Sequence, residues 1–144
     1  MREAFGGAFM IKVILIFLGI YIAFMAVALN YAKAFRVKNQ IINIIEQYEG
    51  YEKKSSNNTE VKDIIGSYLD NMGYNVQIQC NGVSQTNSCD TRGYRVERID
   101  TSKGTYYAVE TYIRLEFPFF NIDITIPING ETKVLKTLSS EERI

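Results

Sequence analysis

The sequence predicts an α+β protein: a long N-terminal transmembrane and amphipathic helix packed on a four-stranded antiparallel sheet, with one additional helix. Three observations predict it. Residues 13–32 form a run of twenty uncharged, mostly apolar residues. Residues 33–50 carry on with an apolar side chain every three or four positions. From Tyr74 onward the apolar period switches to two, as expected of strands with one covered face.

The first element is the membrane helix. Twenty helical residues cover about 30 Å, the hydrocarbon thickness of a bilayer. A soluble core helix would carry a polar stripe, and none occurs here before Asn30. A cleavable secretory signal competes for this segment, but its apolar core usually runs about 7–15 residues and ends at a small-x-small site. Here the run is longer and flows into a continuing helical pattern. The reading is a single retained span, with residues 1–7 as a short leader, 8–32 as the membrane helix and 33–50 as its amphipathic extension. In "AFRVKNQIINIIEQYEG" the side chains of Val37, Ile41, Ile44, Ile45 and Tyr48 share one face, and Gly50 supplies a C-terminal stop.

"YEKKSSNNTE" is a polar linker in which Asn57 and Glu60 have capping spacing. Asn57-Asn58-Thr59 also matches the short and common acceptor pattern for N-glycosylation. Val61, Ile64, Ile65, Tyr68, Leu69 and Met72 then share a helical face, closed by Gly73.

Four strands follow. "YNVQIQC" places Tyr74, Val76, Ile78 and Cys80 on one side. "YRVERID" begins in the same way and slips at Ile99, which predicts a bulge or a frayed end. "TYYAVETYIRLEF" sets Tyr107, Val109, Thr111, Ile113, Leu115 and Phe117 against Tyr106, Ala108, Glu110, Tyr112, Arg114 and Glu116. "NIDITIPINGETKVL" aligns Ile122, Ile124, Ile126 and Ile128, and Pro127 places this last strand at an edge or near its end. The stripe of the helix extension and the apolar face of the sheet both lack a cover, and packing one on the other supplies it. Residues 51–138 make up this extracytoplasmic domain, and residues 139–144 form a frayed tail.

Composition excludes several functions. The chain has 144 residues, with sixteen basic and sixteen acidic residues and no histidine. A net charge of zero offers no field for nucleic acid, so no nucleic-acid partner is expected. The absence of histidine removes imidazole acid–base chemistry and most nucleophilic triads and zinc sites. No glycine-rich phosphate loop occurs, and Glu60, Asp63 and Asp70 fall on the wet side of the second helix. No catalytic, cofactor-binding or metal-binding residues are expected, and the protein reads as a non-enzyme without cofactors. Tyr106 and Tyr112 face outward, either through strand propensity or as contact surface.

Two cysteines, Cys80 and Cys89, bracket the turn-prone stretch "NGVSQTNS". They read as a disulfide pinning a hairpin, the alternative being two unpaired thiols. A disulfide points away from the reducing cytosol. The flanking positive charges lean the other way, with Arg2 and Lys12 before the span and Lys33, Arg36 and Lys38 after it. The cysteines carry more weight, so the reading is a single-pass plasma-membrane protein with its C-terminal domain extracytoplasmic.

This order of parts resembles a type IV pilin, and most closely the TadE-like minor pilins, or pseudopilins, of tight-adherence (Tad/Flp) systems. "IRLEFPFFNIDITI" is similar to the end of such proteins, and the resemblance in architecture covers most of the chain. It implies a structural subunit of a surface appendage or secretion machine. The implied partners are the lipid bilayer and other pilin-like subunits or secretion-system membrane proteins. It also implies a prepilin-type cleavage between Gly7 and Ala8, in "REAFGGAFMIK". Counted from Ala8, the fifth residue is Lys12, where the family usually has a glutamate that pairs with a neighbour's terminal amine. A lysine cannot make that pair. Lys12 either snorkels to the headgroups or meets the glutamate of a different, major pilin as an assembly contact. The alternative function is a single-span binding or sensor module with an extracytoplasmic domain.

Overall fold

A computed structural model describes residues 2–80, 87–117 and 122–135, with side chains from residue 6 onward and except at 116, 117 and 122. The predicted turn at 81–86, the junction 118–121 and the tail 139–144 lie outside the described residues. The elements are α1 (Arg2–Gln47), α2 (Val61–Met72), β1 (Asn87–Asp90), β2 (Tyr94–Thr101), β3 (Gly104–Phe117) and β4 (Ile122–Glu131). The strands form one antiparallel meander in the order β1-β2-β3-β4, which confirms the α+β architecture with one additional helix.

The second half of α1 lies on the sheet as its stripe predicts. Val37, Ile41, Ile44 and Ile45 are buried together with Tyr94 and Val96 of β2 and Tyr107, Val109, Ile113 and Leu115 of β3. Val61, Ile65 and Leu69 bring α2 into the same cluster. Fully burying each such side chain contributes roughly 1.5–3 kcal/mol, so this one shared cluster dominates the stability of the domain. Thr111 Oγ1 donates to Ala34 O at 3.3 Å, and the Lys133 N–H donates to Glu46 Oε1 at 2.8 Å, tying the two layers at both ends. Gly130 permits the close approach of β4, because a Cβ there would stand 2.9 Å from Ile42 Cδ1 and from Lys38 Cδ.

α2 ends at Gly73 in the left-handed conformation (φ 59°), whose N–H and that of Tyr74 bond back to Asp70 O and Leu69 O. Lys33 Nζ donates to Gly73 O at 2.8 Å, placing a cation from α1 at this C-terminus, where the helix dipole favours it.

Four sequence expectations need correction. Residues 74–80 are extended but form no strand; the place beside β2 is taken by β1, which pairs Asn87 with Glu97 and Asp90 with Tyr94. The segment keeps its alternation of part-buried Val76 and Ile78 against exposed Asn75, Gln77 and Gln79, and Val76 N–H donates to Arg92 O. β2 runs without a bulge or fray at Ile99, which pairs in register with Tyr106 on the outer face. The N-cap of α2 is Glu60, without a side-chain cap bond, in place of an Asn57–Glu60 arrangement. Residues 54–60 close on themselves instead, through Ser55 N–H to Thr59 O and a bridge between Lys54 and Glu60. Finally, α1 ends at Gln47, and the left-handed residue after it is Glu49 (φ 53°), not Gly50. Pro127 lies on β4, an edge strand, as predicted.

Candidate functional site

The features that bear on function lie at two ends of the molecule. At one end, α1 from residue 6 to residue 32 is bare. Every residue of this stretch is exposed except Ala23 and Val27, and Phe9, Phe17 and Phe24 stand with most of their rings uncovered. The helix is long and apolar enough to cross a membrane. Gly7, Ala8 and Lys12 all lie on this bare part: nothing stands within 4 Å of where a Gly7 Cβ would be, and among the described residues Lys12 has no ion-pair partner. By helical rise, Lys12 sits about 37 Å from the first fully buried turn at Val37.

At the other end, Cys80 and Cys89 are joined as a disulfide with a Cα–Cα distance of 5.8 Å, and no described cysteine is free. The bridge fastens the extended segment after α2 to the edge strand β1. These are the only two sequence-predicted site residues that the fold brings together; Gly7, Ala8 and Lys12 stay remote from them.

Around the bridge lie groups that the sequence reading did not single out. Asp90, at the end of β1, accepts the backbone N–H of Arg92 at 2.9 Å and the guanidinium through both oxygens, at 3.1 and 3.0 Å. Burial pushes the Asp90 carboxyl up, but the Arg92 side-chain and backbone hydrogen bonds outweigh it and hold the group below the usual carboxylate range. The same hydrogen bonds raise Arg92 further. The guanidinium also reaches Asp70 of α2 at 3.4 Å. This cluster ties α2, the β1–β2 turn and the sheet together.

Two tyrosines act as hydroxyl hubs. Tyr74 Oη accepts the Tyr112 N–H at 2.9 Å and has the carbonyls of Tyr112 (2.7 Å) and Gly93 (2.9 Å) within reach of its own proton. It occupies the place a longer β2 would have filled, satisfying backbone groups of β3 just past the strand's end. Burial pushes its pKa up to about 12. Tyr94, fully buried, shares a hydroxyl contact of 3.2 Å with Tyr51, which in turn meets Ser88 Oγ at 3.0 Å, and burial raises Tyr94 strongly. The signal for both was present in the sequence: a tyrosine on the apolar side of an alternating segment must find a partner for its polar tip.

On the outer face, Tyr112 Oη donates to Glu110 Oε2 at 2.9 Å, and Tyr106 is half-buried. Among the described residues no group of three or more His, Cys, Asp or Glu side chains could hold a metal ion. The arrangement is mechanical: a rod with a bare apolar half, and a stapled head clamped on its other half. Comparison with known protein families, with curated proteins and with solved structures returns no match.

Proposed function

We propose that this chain is a membrane-anchored, pilin-like structural subunit of a surface appendage or secretion machine, with the sheet domain outside the cytoplasm. The observation that carries the reading is the division of α1. Its first part is apolar and, save at Ala23 and Val27, uncovered, while its second part is sealed under the sheet. Such a rod works by lateral packing, in lipid or among other helices, and presents its head on the far side. The Cys80–Cys89 bridge supports an oxidising compartment for the head. Lys12, at the start of the uncharged run, suits pairing with an acidic group of a partner helix.

The N-terminus of the chain recovered from membranes tests this. A mature protein starting at Ala8, in the detergent-soluble fraction, agrees with prepilin processing. A start at Met1 in the same fraction removes the pilin-like reading and favours a fixed single-span binding module. Recovery of the intact chain in the aqueous fraction removes both.

A further inference from the structure

The head is not confined to the space above the span. Lys38 Nζ donates to Asn129 O, and the Lys133 N–H donates to Glu46 Oε1. Between these contacts the helix advances eight residues, about 12 Å, and the chain along β4 and just past its end advances four, about 13 Å if it stays extended. Helix and strand therefore run side by side in one direction, with two helix residues to each strand residue. Carried back toward the N-terminus, this places Ile126 level with about residue 30–32 and Ile124 level with about residue 26–28.

Three further contacts agree. Thr111, the register partner of Ile128, donates to Ala34 O. Ile113, the partner of Ile126, lines one crevice with Asn30 and Lys33. Val27 packs against the hydrophobic cluster, and Ala23, one turn earlier on the same face, is the other covered residue of the bare helix. Lys12 and Lys33 bracket the uncharged run, so Ile124 stands about 7–11 Å inside that bracket.

At this level Ile124 and Ile126 are 43% and 42% exposed, on the same strand face as the covered Ile128. The opposite face carries Thr125 and a bidentate ion pair in which Arg114 Nε and Nη2 donate to Asp123 at 2.7–3.2 Å. Resting on the anchored reading of α1, we propose that the span-proximal end of the β3–β4 pair is a second membrane-contact element. Ile124 and Ile126 meet the boundary between acyl chains and headgroups of the outer leaflet, and the Arg114–Asp123 pair, level with them on the opposite face, lies among the headgroups. Continuity favours lipid as the occupant: the isoleucines adjoin a helix whose bare stretch is uncovered except along Ala23 and Val27 and has no second seam for one partner. An edge strand with one apolar and one charged face fits the boundary between acyl chains and headgroups.

The test uses the full chain with its native disulfide intact, so that each added cysteine is the only reactive thiol. Ile124→Cys, Ile126→Cys, Phe17→Cys and Lys103→Cys, each carrying an environment-sensitive fluorophore, are placed in phosphatidylcholine–phosphatidylglycerol vesicles. A nitroxide near the glycerol end of the lipid should quench the labels at 124 and 126, with blue-shifted emission, while aqueous iodide quenches the label at 103. If the label at 17 is quenched by lipid and those at 124 and 126 only by iodide, the inference falls and the anchor stands. If the label at 17 is itself open to iodide, the anchor falls and the inference with it. Labels at 124 and 126 shielded from both quenchers, with energy transfer between chains, would instead assign this face to a second copy.

Discussion

The Arg92 guanidinium lies directly over Gly66 in the middle of α2, so that a Cβ at Gly66 would stand 2.5 Å from Nη1 and 2.7 Å from Nη2. A glycine inside a helix costs about 1 kcal/mol relative to alanine, so close approach accounts for its presence here. Arg92 cannot swing away freely, because Asp90 holds it through both carboxylate oxygens. Gly66→Ala should therefore lower stability by about 1–2 kcal/mol despite its better helix propensity, as measured by chemical denaturation. In an Arg92→Ala background the same change should raise stability by about 1 kcal/mol. Equal effects in both backgrounds would show that the contact is loose.

Asp90 gives the head an acid limit. Its folded pKa is depressed, so its contribution is complete above the ordinary carboxylate value of about 4 and is lost as pH falls through the folded value. Thermal unfolding should lose stability below about pH 4, and Asp90→Asn should flatten that fall while lowering the plateau at neutral pH. An unchanged acid profile in the variant would assign the fall to other carboxylates.

The sheet and the helix stripe were legible because each repeats over many residues against a single cover: Val37, Ile41 and Ile45 on α1, and Tyr107 through Leu115 on β3. Residues 74–80 were misread for a physical reason. Period two records one wet side and one dry side, and a chain lying against the sheet, as through the Val76–Arg92 backbone bond, gives the same pattern as a paired strand. Ile99 broke the alternation without breaking the ladder, because the outer face near Tyr106 tolerates an apolar side chain. The Asp90–Arg92–Asp70 cluster was not legible, since it joins residues from separate elements. Its one trace was a glycine where a helix has no use for one.

Beside the more strongly raised Tyr94, Tyr74 shapes the alkaline behaviour. Its folded value near 12 exceeds the ordinary value of about 10, so its stabilisation is complete below about pH 10 and is lost as pH rises through 12. Tyr74→Phe leaves the N–H and C=O of Tyr112 without the hydroxyl and should cost about 1–3 kcal/mol at neutral pH. The variant should also lose part of the decline above pH 10, with the buried Tyr94 supplying the remainder. A variant as stable as the wild type would mean that water replaces the hydroxyl at no cost.

Opening the disulfide should loosen the head without detaching it from α1. A ring closed over a sequence separation of nine constrains the unfolded chain by about 2–3 kcal/mol. Cys80→Ser with Cys89→Ser should lower stability by that amount and speed hydrogen exchange in β1. Exchange at Val109 and Ile41, in the cluster under α1, should follow global stability alone. If exchange in β1 keeps pace with those core positions, the bridge acts only through the unfolded state.

Lys12 tests how the bare helix is used. Lys12 has no ion-pair partner among the described residues of its own chain, and under the anchored reading its charge is either solvated at the membrane edge or paired with another subunit. Under the pilin-like reading, Lys12→Ala should leave membrane insertion unchanged and lower co-isolation with a major pilin by roughly tenfold or more. Lys12→Arg should retain it, and Lys12→Glu should abolish it, because two carboxylates in an apolar fibre core repel. The measurement is the ratio of the two subunits in detergent extracts, with carbonate-resistant membrane association as the control for insertion. If all three variants co-isolate like the wild type, the lysine is an edge residue that snorkels to the headgroups, and the specificity of packing resides elsewhere on the rod.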